Sequence, residues 1–367
     1  MKVSEIIIAL EQWAPQALQE DYDNAGLITG SAEWPCSGAL VCLDVTTEVL
    51  QEAKAKNCNL VVAHHPIIFK GLKKITGTTY VEQLVIEAIK NDIAIYALHT
   101  NLDNLLQGVN GKIASLLGLQ NIAVLEARPN QLKKLYTFVP AAQADEVRNA
   151  LFAAGAGHIG NYSECSFSVS GTGTFKARQG THAFVRQQGL QHQETELKLE
   201  VVFAAWLQQQ VVQALLKAHP YEEVAYDIVT LENKYAETGS GVVGVLPAPQ
   251  HEEEFLGKLL DVFKVPVVRH TALCGKPVER VAICGGAGSF LISKALAANA
   301  DIYITADMKY HDFFDAAGKM VIADVGHYES EQYTCDLILS FLQQKFPTFA
   351  SLKTSVVTNP VQYYTGR

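Results

Sequence analysis

Two adjacent histidines, His64 and His65, end an apolar run that begins at Leu60, and Pro66 follows them directly. Proline lacks an N–H and cannot continue a central strand, so this pattern predicts a buried strand that stops where the polar side chains begin. Neutral imidazole is the commonest metal ligand among protein side chains. The pair is therefore a candidate metal site, with one imidazole for each of two ions, or with one imidazole on a metal and the other beside it.

Polar side chains also follow the other predicted strands in the outer parts of the chain. In an open α/β sheet, ligands bind beyond the carboxyl ends of the strands, so residues at these ends are expected to meet at one edge of the sheet. In chain order, the other candidates are Asp44, His99, Asp103, Asp307, His311, His327 and Glu331. Their joint occurrence at strand ends favours one common site.

The spacing within these candidates favours metal binding, although each pair alone has a plainer explanation. His327 and Glu331 lie four residues apart and share one face if a helix begins near them. His99 and Asp103 repeat that spacing. Each of the two pairs is also compatible with the solvent-exposed face of a helix. Asp103 is also compatible with a helix N-cap. Together, nitrogen and oxygen ligands with carboxylates able to bridge suit two transition-metal ions, which can share and activate a water. No cysteine occupies these positions, which argues against a structural zinc site of the cysteine type.

A glycine-rich turn at residues 285–289 follows another predicted strand. It fits a tight strand-to-helix connection, and it also fits anion capture by backbone N–H groups at a helix N-terminus. The turn lacks the lysine of a P-loop. Lys309 and Arg269 are candidate phosphate partners, and each also fits a plain surface charge.

The elements that must position these residues alternate between strand and helix in both outer parts of the chain. The first part predicts strands at residues 40–45, 60–65 and 93–99, with helices between them, and the last part repeats this order with strands at 281–284, 302–305 and 320–325 and a long helix at 330–345. Strands separated by helices indicate mostly parallel sheets. We expect one discontinuous α/β domain of two similar halves, formed by residues 1–130 and 235–367.

The middle of the chain has a different pattern. Residues 134–232 predict the order strand-helix-strand twice, which is typical of a ferredoxin-like α+β domain inserted into the α/β domain. Within it, the polar, glutamine-rich residues 176–196 predict a long exposed hairpin. Residues 234–243, which contain Gly239-Ser240-Gly241, predict the linker that returns to the α/β domain.

The composition excludes several classes of protein. The chain has 367 residues, 49% of them hydrophobic and 18% charged, which is typical of globular domains. The net charge of −9 argues against broad binding of nucleic acid, because neutralising phosphates needs clustered lysine and arginine. Seven scattered cysteines without CxxC spacing indicate reduced thiols and hence a cytoplasmic protein. No stretch approaches the ~20 apolar residues of a membrane span, so we expect no membrane partner.

Together, these motifs resemble the Nif-three-like family, which is also described as type-2 GTP cyclohydrolase I and includes the YbgI-type proteins. The matching stretches are residues 22–27 (YDNAGL), 62–66 (VAHHP), 99–103 (HTNLD), 305–311 (TADMKYH) and 326–331 (GHYESE). Residues 219–223 (HPYEE) resemble the CutA/PII-like domain inserted in longer members. Two departures are small, since Ala25 stands where valine is usual and Ala306-Asp307 replaces Gly-Glu.

The resemblance implies a site for two divalent metal ions (Zn, Mn or Fe) held by His64, His65, Asp103, His327 and Glu331, with Asp103 and Glu331 as bridging carboxylates. His99 matches a position close to the metals, and His99 or His311 is the expected proton shuttle. The resemblance also implies a toroidal homohexamer.

We therefore expect a metal-dependent hydrolase similar to type-2 GTP cyclohydrolase I, in which a metal-bridging hydroxide attacks a small nucleotide-like or cyclic-amide substrate. The alternative is a non-enzymatic metal-binding, regulatory or interaction protein that forms a ring-shaped oligomer. A ring that encloses nucleic acid is a third interpretation, which the acidic charge disfavours.

Overall fold

The computed structural model describes residues 1–178 and 189–364 of the chain. The chain forms two compact units. Unit 1 consists of Met1–Glu126 and Glu237–Arg367, and unit 2 consists of Ala127–Ala236. Among the described residues, no helix combines the length and the apolar character that crossing a membrane requires.

The α-helices are α1 (Val3–Trp13), α2 (Thr47–Ala55), α3 (Tyr80–Lys90), α4 (Thr100–Asp103), α5 (Val109–Leu116), α6 (Ala144–Ala153), α7 (Gln208–Ala218), α8 (Glu252–Phe263), α9 (Ile292–Ala297), α10 (His327–Glu331) and α11 (Thr334–Lys345). The strands are β1 (Gly26–Thr29), β2 (Ala39–Cys42), β3 (Leu60–Ala63), β4 (Ala94–Ala97), β5 (Gln120–Ala127), β6 (Leu132–Pro140), β7 (Ser166–Lys176), β8 (Gln191–Ala204), β9 (Tyr226–Leu231), β10 (Gly239–Gln250), β11 (Arg269–His270), β12 (Val278–Ala287), β13 (Ile302–Ala306), β14 (Val321–Asp324) and β15 (Ser351–Lys353). Short 3-10 helices connect several of them.

The first sheet of unit 1 has the strand order β1-β4-β3-β2-β15. β2, β3, β4 and β15 run parallel, and β1 pairs antiparallel with β4 at one edge. All residues of β2, β3 and β4 are buried, which is typical of central parallel strands covered on both faces. β3 ends at Ala63, so His64 and His65 emerge directly beyond the carboxyl end of a central strand.

The second sheet of unit 1 has the order β11-β14-β13-β12-β10-β5 and is mixed, not mostly parallel as expected. β12, β13 and β14 are parallel, but β10 pairs antiparallel with β12, and β11 pairs antiparallel with β14. The sequence pattern identified only the three central strands, because β13, β14 and residues 281–284 of β12 are buried and read as continuous apolar runs. The strands on either side of them carry exposed positions and lack that signal.

Two local predictions in unit 1 are wrong. Gly239-Ser240-Gly241, predicted as a linker, begins β10. Gly241 has φ +63°, and a Cβ at this position would lie 2.8 Å from the carbonyl oxygen of Ile283 on β12. Glycine therefore allows the two strands to approach closely. The long helix predicted at residues 330–345 is two helices, α10 and α11. α10 begins after Gly326, whose φ is +90°, and it carries both His327 and Glu331.

One large apolar core joins the two sheets of unit 1. It includes alternate residues of central strands from both sheets together with residues of α1, α5, α8 and α11. A smaller cluster lies on the other face of the first sheet, under α2 and α3. Burial of apolar surface on this scale is the main source of stability, and it fixes the strand ends that carry the polar candidates.

Unit 2 has the element order β6-α6-β7-β8-α7-β9 and the sheet order β7-β8-β6-β9. In the described residues, β6 pairs antiparallel with β8 and with β9, and β7 pairs antiparallel with β8. α6 and α7 pack on one face of the sheet through an apolar cluster that includes Val147, Leu151, Val211 and Leu215. The predicted glutamine-rich hairpin begins where β7 ends and finishes in β8, and its residues 179–188 lie outside the described part of the chain.

Candidate metal centre

Glu331 lies at the centre of a group of imidazoles. Its Oε2 atom is 2.9 Å from Nε2 of His65, 3.1 Å from Nε2 of His327 and 3.8 Å from Nε2 of His64. The carboxylate is buried, with 3% of the residue exposed. His64, His65 and Glu331 each offer a ligand atom close enough to the others to hold one metal ion. The last residue of α10 therefore meets the carboxyl end of β3.

Two buried atoms of this group have no hydrogen-bond partner within the described residues: Nε2 of His64 and Oδ1 of Asp103. They lie 3.7 Å apart. Leaving a buried polar atom without a partner is unfavourable by about 1–3 kcal/mol, so native proteins rarely do it without a functional reason. One nitrogen donor and one carboxylate oxygen, both unpaired and both facing each other, suit a divalent cation.

The three histidines of the group, and His99 beside them, are each held through Nδ1, which leaves Nε2 as the available ligand atom. His64 contacts the carbonyl oxygen of Leu98 at 2.7 Å through Nδ1. His65 contacts Oδ1 of Asp44 at 2.7 Å. The remaining two pairs are His99 with Asp23 at 2.7 Å and His327 with Asp307 at 2.8 Å. Carboxylates and carbonyls in this position fix the tautomer and orientation of metal-binding histidines.

The backbone makes room for this group at two unusual positions. Gly286 has φ +64°, and a Cβ there would lie 2.3 Å from Oε1 of Glu331. Asp307, which holds His327, itself adopts a left-handed conformation with φ 57°. Aspartate adopts this conformation more readily than most residues, and its carboxylate contacts Nδ1 of His327 at 2.8 Å.

The ionisable groups of the cluster have strongly shifted pKa values. Burial lowers the pKa of His64, which favours the neutral imidazole that metals require. Burial also acts against the charged form of His65, but hydrogen bonds with Asp44 and Glu331 outweigh it and raise the pKa of His65 to about 10. The same balance, through Glu331 and Asp307, raises the pKa of His327 to about 9.

The two carboxylates differ in their response to burial. Burial and the nearby Glu331 raise the pKa of Asp103 well above its usual range. Burial alone would raise the pKa of Glu331 too, but its imidazole neighbours hold it well below the usual range. The imidazoles balance the charge of Glu331, whereas His65 and His327 only partly offset the effects that raise the pKa of Asp103. A bound cation would provide a partner for Asp103.

His99 lies beside the cluster but is not part of it. Its ring centroid is 5.5 Å from that of His64 and 5.4 Å from that of His65. Phe69 contacts His99 edge-on with a centroid distance of 5.9 Å, and Tyr22 lies 6.2 Å from Phe69. Tyr22 and Phe69 are exposed, so they form an aromatic wall next to the cluster.

The structure places the other expected residues elsewhere. His311 is exposed in a 3-10 turn and contacts the rings of Tyr310 and Phe314, at 5.1 and 6.3 Å. Arg269 donates to Asp324 at 3.0 Å and to the carbonyl of Met308, so its charge is already paired.

In the glycine turn, the N–H of Gly285 donates to Asn110 and the N–H of Gly286 donates to Ser330. These two amides are therefore occupied, and the turn passes close to the side chain of Glu331.

Sequence reasoning did not assign a role to three residues near the cluster. Asp44 and Asp307 were visible as strand-end carboxylates, but nothing in the sequence showed that they hold His65 and His327. Asp23 holds His99 and accepts hydrogen bonds from both the N–H and the hydroxyl of Thr100. Its position in the YDNAGL stretch was the only available signal.

The fold and the cluster define a mixed α/β protein with several sheets and a candidate metal-binding site. A family model described as Duf34/NIF3 (NGG1p interacting factor 3) matches residues 1–360. The chain therefore belongs to the Duf34/NIF3 family, as the resemblance predicted.

Individual relatives agree with this assignment. The chain is 41% identical over 324 residues to a protein of Halalkalibacterium halodurans named GTP cyclohydrolase 1 type 2 homolog, covering 88% of this chain and 87% of the relative. It is also similar to a solved Bacillus cereus protein related to NIF3, with 37% identity, a TM-score of 0.88 and 99% of each chain covered. The Staphylococcus aureus protein SA1388 matches with 26% identity and a TM-score of 0.78, also over 99% of each chain.

Proposed function

We propose that this protein is a metal-dependent hydrolase that holds two divalent cations in the cluster around Glu331. The observation that carries the proposal is the pair of buried, unpaired ligand atoms, Nε2 of His64 and Oδ1 of Asp103. A cluster that served only stability would be expected to satisfy both atoms within the protein. The residues that offer ligand atoms are His64, His65, Asp103, His327 and Glu331.

The arrangement supports two ions with a shared carboxylate. His64 and Asp103 provide ligand atoms on one side, and His65 and His327 provide them on the other, where their Nε2 atoms are 3.4 Å apart. Glu331 is within 3.8 Å of all three imidazoles, and Glu331 and Asp103 are the two carboxylates that the ions would share. When bound, a pair of divalent cations supplies an activated water and a Lewis acid for hydrolysis.

His99 is the candidate proton-transfer residue. Asp23 holds its Nδ1 at 2.7 Å, which orients the ring and leaves Nε2 for exchange with substrate or water. Its position beside His64 and His65 places it next to the proposed ligands without making it one of them. His311 is exposed and paired with Tyr310 and Phe314, so we assign it no proton-transfer role.

The proposed substrate is a small molecule with a planar ring, such as a nucleotide or a cyclic amide. Two observations support it. Exposed Tyr22 and Phe69 stand beside His99, and such rings favour stacking with planar groups. In addition, the relative from Halalkalibacterium halodurans is named as a homolog of a GTP cyclohydrolase.

The test is a turnover assay on protein loaded separately with Zn²⁺, Mn²⁺ or Fe²⁺. GTP, other nucleotides and cyclic amides are incubated with each form, and products are separated by chromatography. We expect metal-dependent ring or ester hydrolysis that His99→Gln reduces by about 10²–10⁴-fold, with metal content unchanged. His158→Gln, at an exposed position in unit 2, is the matched control. Metal binding without turnover of any of these substrates would leave the non-enzymatic alternative in place.

We also propose that unit 2 is a ferredoxin-like module of the CutA/PII type that takes part in assembly of a homo-oligomer. Its element order and its sheet order β7-β8-β6-β9 agree with that topology. β7 is the edge strand of the described sheet, and its Phe167 and Val169 are exposed apolar residues. Light scattering of the intact protein tests whether this edge forms an interface. Phe167→Glu and Val169→Glu should lower the mass of the oligomer, whereas the control Thr195→Glu, at an exposed position of β8, should not. A monomeric wild-type protein would contradict the proposal.

A further inference from the structure

Residues 354–364, here called the C-terminal strap, contact both sides of the candidate metal centre. The segment follows β15 and has no regular secondary structure. Thr358 donates a hydrogen bond to Oδ2 of Asp44 at 2.8 Å. Asn359, the next residue, donates to Oε1 of Glu329 at 2.8 Å. Asp44 holds His65, and Glu329 lies in α10 between His327 and Glu331.

The strap is anchored before it reaches the site. Thr354 and Ser355 both hydrogen-bond to the carboxylate of Glu52 on α2. Val356 then packs against the apolar cluster on the outer face of the first sheet. These anchors bring Thr358 to Asp44 from a distance of 314 positions in the sequence.

The contact of Thr358 completes a chain of hydrogen bonds. Asp44 has two carboxylate oxygens: Oδ1 pairs with Nδ1 of His65 at 2.7 Å, and Oδ2 accepts from Thr358. The first contact fixes the proton of His65 on Nδ1 and directs Nε2 toward Glu331. The second contact limits rotation of the carboxylate, because both of its oxygens are then held.

We propose that Thr358 is a positioning residue for the metal centre, acting through Asp44 on His65. The inference rests on the proposed function, since it assumes that His65 binds a metal. Asn359 supports the other side of the site, because its amide donates a hydrogen bond to Glu329 in α10. The strap thus contacts Asp44, which holds His65 at the end of β3, and also contacts α10, the helix that carries His327 and Glu331.

The test compares Zn²⁺ affinity in wild-type protein, Thr358→Val and Thr358→Ser, measured by competition with a chromophoric chelator. Valine keeps the shape of threonine and removes the hydroxyl, whereas serine keeps the hydroxyl. Loss of a partner that supports a metal ligand typically lowers affinity 10–100-fold. We expect Thr358→Val to lose about tenfold and Thr358→Ser to stay within about twofold of wild type. Thr195→Val, at an exposed position in unit 2, is the matched control.

A double-mutant cycle separates positioning from general packing. If Thr358 acts through Asp44, Thr358→Val should have no further effect on Zn²⁺ affinity in an Asp44→Asn background. Full additivity in that cycle, or a wild-type affinity in Thr358→Val, would overturn the inference and leave the metal proposal standing. Absence of Zn²⁺, Mn²⁺ and Fe²⁺ binding by the wild-type protein would instead overturn the proposed function itself.

Discussion

The metal-ligand cluster of unit 1 and the cluster around His219 in unit 2 contain the same types of residue, but they use their hydrogen-bonding capacity differently. In unit 2, His219 uses both ring nitrogens: Nε2 contacts the carbonyl of Phe138 at 3.0 Å, and Nδ1 accepts from the N–H of Tyr221 at 3.1 Å. Glu196 accepts from the hydroxyl of Tyr221 at 2.7 Å. In unit 1, His64 and Asp103 each keep a buried atom without a partner among the described residues.

The difference shows which property identifies a functional cluster. Buried histidine and glutamate occur in both units, so composition alone does not distinguish them. Unused ligand atoms of this kind do, because pairing buried polar groups stabilises a protein, and an unpaired imidazole nitrogen that faces an unpaired carboxylate oxygen is a donor pair that suits a cation. The cluster of unit 2 is accordingly structural, and the cluster of unit 1 is the one that we expect to bind metal.

The largest expected difference between the clusters is in metal affinity. Glu331→Gln removes the carboxylate shared by three imidazoles and should lower Zn²⁺ affinity by more than about 100-fold. Glu196→Gln, the same change at a buried glutamate of unit 2, should alter it less than about twofold. Chelator competition and elemental analysis measure both. Equal effects of the two substitutions on Zn²⁺ affinity would contradict the distinction between a metal-binding cluster in unit 1 and a structural cluster in unit 2.

The second difference is in the stability of unit 2. His219→Leu leaves the carbonyl of Phe138 and the N–H of Tyr221 without their partner, so the free energy of unfolding should fall by about 2 kcal/mol. Urea denaturation measures this fall, and Zn²⁺ affinity should not change. His158→Leu, at an exposed position of the same unit, should change stability by less than about 0.5 kcal/mol. A metal-binding defect in His219→Leu would contradict a purely structural role.

The third difference is that a substitution in the cluster of unit 1 should increase, and not decrease, the free energy of unfolding when metal is removed. Asp103 is partly buried, and its buried Oδ1 atom has no partner among the described residues and lies near the charge of Glu331. Asp103→Asn removes that repulsion and should raise the free energy of unfolding in the presence of chelator by about 1 kcal/mol, while weakening metal binding. Asp261→Asn, at an exposed position of α8, is the control. Destabilisation of the metal-free protein by Asp103→Asn would show that the site is not strained without metal.

The last prediction concerns Glu52, a carboxylate of unit 1 whose oxygens accept hydrogen bonds, as Glu196 does in unit 2. It tests how the charge of such a group changes stability with pH. Burial alone would raise the pKa of Glu52, but hydrogen bonds from Lys56, Ser355 and Thr354 lower it to about 2. Because the folded pKa lies below the ordinary value of 4.5, the ionised group stabilises the fold above about pH 4.5 and loses this effect as the pH falls toward about 2.

Glu52→Gln should therefore lower the free energy of unfolding by about 1 kcal/mol at pH 7, and the gap to wild type should narrow in acid. Denaturation at a series of pH values measures it. A gap independent of pH would assign the effect to packing instead of charge.

The sequence predicted the ends of the strands better than it predicted the contacts made there. Continuous apolar runs identified β3, β4, β13 and β14, and the polar residues that follow these strands do meet in space. The break between α10 and α11 was missed because Gln332 and Tyr333, which separate the two helices, include no glycine or proline that would mark a turn after Glu331.

Long-range contacts were beyond prediction for a different reason. Thr358 and Asp44 meet because β15 pairs with β2, and no local pattern marks a single threonine as part of a site 314 positions away. His311 stood at a strand end like the others, but the 3-10 turn that carries it exposes its ring. Side-chain direction in such a turn depends on tertiary packing, which spacing does not encode.

The candidate ligands lie on either side of unit 2 in the sequence, with His64, His65 and Asp103 before it and His327 and Glu331 after it. Ribosomal synthesis proceeds from the N-terminus, and domains generally fold in that order. A nascent chain that has not passed residue 331 holds only part of the ligand set, whatever the concentration of metal in the cell. The complete ligand set would then form only after residue 331 has been synthesised, so a shorter nascent chain would lack the carboxylate that lies near three imidazoles.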